Sequence, residues 1–183
     1  MAPTGKPEVP SDEADARQLE LARQEGTAYH RSLLYMVEEV AHTGATKVAG
    51  DYLVGIAQEE AEGLYQPDGA GGLRWVEPEE ENCHIEVSVS DAADHRFIPG
   101  LEIEVTLTAA GGETVGPFPV PFLWHPGLYH YGADVKVPGS GRYDVTVAIA
   151  APTFHRHDKT NGRRYARPVT VTFEGVDIET GRE

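Results

Sequence analysis

Cysteine is nearly absent from this chain. Cys83 stands alone among 183 residues, so no disulfide can close within the chain, and the thiol reads as a small buried hydrophobe. Basic residues are also scarce, 15 against 30 acidic ones, which leaves a formal charge of -15. Phosphate backbones and anionic membranes repel such a surface, so nucleic acid is not an expected partner. No apolar run is long enough to span a bilayer, and Met1 to Pro10 lack the apolar stretch of a secretory leader. As the chain stands, this predicts a cytoplasmic protein. Catalytic motifs are missing too. Ser32, Ser88 and Ser140 lack the contexts of nucleophilic serines, and Gly69-Ala-Gly-Gly72 is too short for a phosphate loop. The chain is therefore not expected to be an enzyme.

What is present fits one domain with an appendage, long enough to bury a core. Residues 1–12 are polar and proline-bearing and read as a disordered arm. Residues 13–45 read as a helical segment. Acidic residues near its start favour the helix dipole, Gly26 is a candidate break, and Leu33, Met36, Val37 and Val40 recur at helical spacing. That apolar face, with Leu34, needs a cover, which a second subunit or the chain's own β domain could supply. His30 and His42 fall on this segment and read as solvated or capping histidines.

From residue 46 to 175 the pattern changes to short alternating runs between Gly and Pro turns. Cys83 to Ser90 is the cleanest, with Ile85, Val87 and Val89 on one face and His84, Glu86, Ser88 and Ser90 on the other. Runs at 100–108, 143–149 and 167–173 repeat the pattern. Together they predict an all-β fold, an immunoglobulin-like β-sandwich with an N-terminal helical extension, followed by a tail at 176–183.

Four of the eight histidines, His125, His130, His155 and His157, crowd the stretch from Phe118 to Tyr165, just before and after a predicted strand. Antiparallel pairing can bring His130 and His157 to one sheet edge. His84-Ile-Glu86 adds an imidazole and a carboxylate side by side, a pair that Cu(II), Fe(II) or Zn(II) accepts. On the residues alone the alternatives stay open. Trp124, Tyr129, His130 and Phe154 could form an aromatic core edge, and His84 with Glu86 a polar surface pair.

Taken together, His84-Ile-Glu86, His130-Tyr-Gly-Ala-Asp134 followed by Pro138-Gly-Ser-Gly-Arg-Tyr143, and Arg156-His157-Asp158-Lys159 resemble the bacterial periplasmic ferrous-iron transport protein family over roughly residues 47–173. The resemblance implies an immunoglobulin-type sandwich, a homodimer, an iron permease as partner, an extracytoplasmic location, and a Cu(II) or Fe(II) site, with Zn(II) possible. Carried over residue by residue, its ligands fall on His84, Glu86, His130 and His157, with His155 or His125 as alternatives. The family's methionine before the His-Tyr-Gly-Ala motif falls on Leu123, which cannot coordinate, and its acidic residue there falls on Gly127. Two other functions compete with metal binding in iron uptake: a β-sandwich interaction module that has lost the metal role, its helical segment docking a partner, and a redox enzyme using a bound ion.

Overall fold

The structure is a computed structural model and describes residues 5–183. Eleven antiparallel strands form two stacked sheets and a small hairpin. The first sheet has the order β1 (Thr43–Ala49), β2 (Tyr52–Glu59), β5 (Cys83–Asp91), β9 (His130–Val135), β8 (Phe122–Leu123). The second has the order β11 (Val169–Ile178), β10 (Gly141–Ile149), β6 (Ile103–Ala109), β7 (Thr114–Pro119). The hairpin pairs β3 (Leu64–Pro67) with β4 (Leu73–Val76) across the Asp68 to Gly72 turn. The all-β sandwich with a helical extension that the alternation predicts is therefore present, and its core forms between the sheets from Ile85, Val87, Val89, Val105, Leu107, Val145, Val147 and Phe173. Cys83 sits in that core, and burial pushes its thiol up to about 12.

The helix α1 (Ala16–Tyr35) starts at a capping box, in which Asp15 accepts from the Gln18 N–H and the Gln18 side chain accepts from the Asp15 N–H. It does not break at Gly26. It crosses the 94–96 backbone there, where a Cβ would lie 1.8 Å from the Asp94 carbonyl oxygen, so Gly26 permits a close approach that no other residue allows. A π-helical turn, Met36–Val40, follows, closed by the Ala41 N–H donating to the Met36 carbonyl. This wider turn shifts the phase of the apolar stripe. Leu33 and Val37 are buried while Val40 faces solvent.

The helix packs on the outer face of the first sheet. Leu33 and Val37 cover Leu53 and Leu128, and Leu33 rests on Gly55. The cover for the apolar stripe is thus the chain's own sandwich. Three boundaries differ from the expected ones. β1 begins at Thr43, so His42 lies past the helix, paired with Glu179. β11 runs to Ile178, and the last residues are tied down through the Ala61 and Arg182 bridge. The expected disordered arm is docked from residue 5, because Glu8 pairs with Arg164, Val9 with Asn161 and Ser11 with Asp158. Residues 1–4 lie outside the described residues.

Candidate metal centre

In β5 the period of two sends Cys83, Ile85, Val87 and Val89 to the sandwich core and His84, Glu86, Ser88 and Ser90 to the opposite face. All nine residues of β5 are nevertheless buried, because the helix and neighbouring loops cover the second face. The antiparallel register with β9 sets Asp134 opposite His84 and Gly132 opposite Glu86, so His130, Gly132 and Asp134 share that outer face. On the other side β2 places Ala57 opposite Glu86. Glu86 is therefore flanked by glycine and alanine. Space opens in front of its carboxylate, and a Cβ on Gly132 would intrude there, 3.1 Å from Nε2 of His84.

His84, Glu86 and His130 converge in this space, each offering a ligand atom, and these atoms all lie within 4.8 Å of one another. Nε2 of His130 is 3.2 Å from Oε1 of Glu86, and Nε2 of His84 is 3.9 Å from the same oxygen. Both imidazoles are oriented from behind. Nδ1 of His84 donates to Oδ1 of Asp134 at 2.8 Å, and Nδ1 of His130 donates to the Leu128 carbonyl at 2.9 Å. In the neutral rings that leaves each Nε2 with a free lone pair aimed at Glu86. Nε2 of His84 and Oε2 of Glu86 have no hydrogen-bond partner although both are buried. Buried acceptors facing one another with no donor between them are costly unless a cation joins them. Ring nitrogens fixed by a carboxylate or carbonyl behind them are the usual support of a metal-bound histidine. Ligand bonds of about 2.0–2.2 Å span such separations, so the residues fit a first-row divalent ion.

Electrostatics follow from the enclosure. Burial raises the Glu86 carboxyl to about 7, against the pull of His84. Burial lowers His130 to about 4. Burial alone would lower His84 as well, but the hydrogen bond to Asp134 and the charges of Asp134, Glu86 and Glu62 outweigh it, and the ring is raised.

The other expected ligands stand apart. His157 is 94% exposed and its Nδ1 pairs with Glu13 at 2.8 Å, and His155 is also exposed. The expectation that a hairpin joins them to His130 fails because the chain changes sheets. His130 starts β9 in the first sheet, whereas His155 and His157 follow β10 in the second. His125 is nearer. Its exposed ring lies 5.8 Å, centroid to centroid, from that of His130, outside the converging trio, and its Nδ1 accepts from the Gly127 N–H. Two supporting residues escaped the sequence reading. Asp134 ends the His130-Tyr-Gly-Ala-Asp134 motif, and the β5–β9 register places it behind His84. Tyr29 had no signal at all; its hydroxyl reaches Ser88 Oγ at 2.8 Å and the Tyr129 carbonyl at 2.6 Å.

Fold and cluster together define a β-sandwich that carries a buried imidazole and carboxylate centre on the outer face of one sheet. Comparison with known proteins gives the family. The chain belongs to the Fe2+ transport protein family, whose pattern matches residues 35–177. A UPF0423 protein of Brucella abortus strain 2308 is 27% identical over 157 residues, spanning 76% of this chain and 79% of that protein. Among solved structures, FetP of uropathogenic E. coli, expressed in the periplasm, is similar with a TM-score of 0.58 at 22% identity, over 76% of this chain and 99% of that one. The copper-reconstituted P19 protein of Campylobacter jejuni gives a TM-score of 0.62 at 16% identity, over 76% and 96%. These likenesses support the sandwich. Among the described residues no helix is long and apolar enough to cross a membrane.

Proposed function

We propose that this protein binds one divalent ion, iron or copper with zinc admitted, through His84, Glu86 and His130, and serves iron uptake as an accessory to a transporter. One observation carries the reading: three buried acceptor groups face one another, two of them with no partner, and both rings are oriented from behind. The iron role rests on family membership, and the copper alternative on the copper-bound state of FetP and P19. Family membership likewise supports an extracytoplasmic location and an iron permease as partner. A homodimer draws on the same source, together with exposed Tyr35, Phe122, Trp124 and Tyr129, which offer apolar surface for self-association. The rival reading, in which the helix docks a partner, loses its motive because that helix already covers its own sheet.

The test is metal analysis of protein purified without a histidine tag, then titration with Cu(II), Fe(II) and Zn(II). The parent should take up one ion per chain and gain roughly 3 kcal/mol of stability when free metal exceeds its dissociation constant about a hundredfold. His130→Ala should lose both, and His42→Ala should keep both. Equal binding by His130→Ala and the parent would sink the proposal.

A further inference from the structure

Resting on that reading, we infer that Glu62 supplies a fourth ligand, making the centre one of two imidazoles and two carboxylates, suited to divalent ions and poorly suited to Cu(I). Oε1 of Glu62 lies 3.7 Å from Nε2 of His84, slightly closer than Oε1 of Glu86 at 3.9 Å. The unpartnered Nε2, on a side chain with 0% exposure, thus sits between two carboxylates. Neither is close enough for a hydrogen bond. Glu62 stands outside the trio whose ligand atoms lie within 4.8 Å of one another, so its half-exposed side chain swings inward to share the ion.

The backbone under Glu62 is built to hold this position. Ala61 is fully buried, its N–H donates to the Gly181 carbonyl, and its own carbonyl accepts from the Glu183 N–H. The Glu62 N–H donates to Oδ1 of Asp134, the same oxygen that accepts from Nδ1 of His84. Asp134 therefore fixes the distance between a ligand and its candidate neighbour. The Glu62 side chain is 36% exposed while those of His84, Glu86 and His130 are at most 8% exposed. Of the four it is the one that meets an ion arriving from solvent. A cavity of about 610 Å³ under the β3–β4 hairpin, lined by Glu77, Glu79 and Glu81, reaches Gly132 and Asp134 beside the centre, and such an acidic approach raises the local concentration of cations.

The donor chemistry sets the selectivity. No sulfur faces the centre among the described residues: Cys83 is on the core face of β5, Met36 packs with the helix cluster, and the side chain beside Gly132 is Leu123. Imidazole and carboxylate donors suit Fe(II), Cu(II) and Zn(II), whereas thiolate or thioether donors select Cu(I). Two carboxylates with two neutral imidazoles also neutralise a divalent charge.

The experiment compares the full chain with Glu62→Gln, Glu62→His and His130→Ala by calorimetric titration with Zn(II) and Cu(II), by electron paramagnetic resonance of the Cu(II) form, and by melting of the metal-free proteins. Glu62→Gln should melt like the parent without metal yet bind Zn(II) at least about tenfold more weakly, a loss of the size that even supporting residues produce. Glu62→His should show three coupled nitrogens in the Cu(II) spectrum where the parent shows two. If Glu62→Gln binds as the parent does while His130→Ala does not, Glu62 is not a ligand and the three-residue centre stands. If His130→Ala also binds as the parent does, the centre itself is refuted and this inference with it. An unchanged nitrogen count in Glu62→His would likewise overturn the assignment.

Discussion

Oδ1 of Asp134 accepts from Nδ1 of His84 at 2.8 Å and from the backbone N–H of Glu62 at 3.2 Å. One oxygen thus sets the tautomer of a buried imidazole and anchors the loop beside it. Asp134→Ala should release both, leaving the His84 ring free to carry its proton on Nε2, where it blocks an ion. Metal affinity should fall about 10–100-fold, measured by titration at pH 8. An unchanged dissociation constant would show that the ring is held by packing alone.

Gly132 separates the two strands' side chains where the ion is proposed to sit. An added Cβ would lie 2.9 Å from Cδ1 of Leu123 and 3.1 Å from Nε2 of His84. Gly132→Ala should therefore lower metal affinity more than it lowers stability, since the methyl fills space between polar donors. The check is metal titration beside chemical denaturation of the metal-free protein. Full affinity in Gly132→Ala would mean that the ion sits elsewhere.

The centre's pH response should come from Glu86 and His84 more than from His130. With its carboxyl raised to about 7 by burial, Glu86 holds a proton below that pH, and the raised His84 also competes with the ion. His130, lowered to about 4 by burial, stays a free base throughout. Affinity should fall as pH drops below about 7. For the metal-free protein the signs oppose each other. A raised carboxyl contributes stability present below its unfolded value, about 4.3, and lost as pH rises through 7. A lowered imidazole contributes stability present above about 6.5 and lost as pH falls toward 4. At pH 8 the parent carries a buried carboxylate charge that Glu86→Gln lacks, so this variant should be more stable than the parent at that pH without metal, by an amount of order 1–3 kcal/mol, while losing metal binding. Denaturation at pH 5 and pH 8 decides this, and a variant less stable than the parent at pH 8 would contradict it.

The sandwich was legible because four of its strands, β5, β6, β10 and β11, carry a local signature. The alternation of His84 to Ser90 fixes which residues face the core whatever lies nearby, and Gly/Pro turns mark where strands end. What depends on partners was not legible. A period of two sends Glu86 outward but does not say that the helix will bury that face. The spacing from His130 to His157 does not show that the chain crosses between sheets after β9. Gly26 read as a break because glycine disfavours helices, whereas the crossing backbone of Asp94 requires it. Glu62 lies 22 residues before His84 in an acidic stretch with no alternation to mark it, and it is the pairing of Ala61 with the C-terminal residues and of its own N–H with Asp134 that sets it beside His84.

The helix that precedes the family's matched region should tune the centre through Tyr29. α1 ends at Tyr35, where the match to the Fe2+ transport protein family begins, so nearly all of it is an addition to that pattern. The Tyr29 hydroxyl donates to the carbonyl of Tyr129, the residue before His130, and meets Oγ of Ser88, two residues past Glu86. It thereby ties both ligand-bearing strands to one helix. Burial raises its pKa, so it remains a neutral donor at all working pH values. Tyr29→Phe keeps the ring in place but leaves the Ser88 hydroxyl and the Tyr129 carbonyl without this partner, which should cost about 1–3 kcal/mol in the metal-free protein. It should also weaken metal binding by about two- to tenfold, because the start of β9 loses a tether. Leu33→Ala provides the contrast. Leu33 is fully buried against Gly55, Leu53 and Leu128 and makes no hydrogen bond to either ligand strand through its side chain, so its truncation should cost about 2–5 kcal/mol with a smaller loss of affinity than Tyr29→Phe. If both variants lose stability and neither loses affinity, the helix supports the fold alone; a loss of affinity larger in Tyr29→Phe than in Leu33→Ala would establish that it also supports the centre.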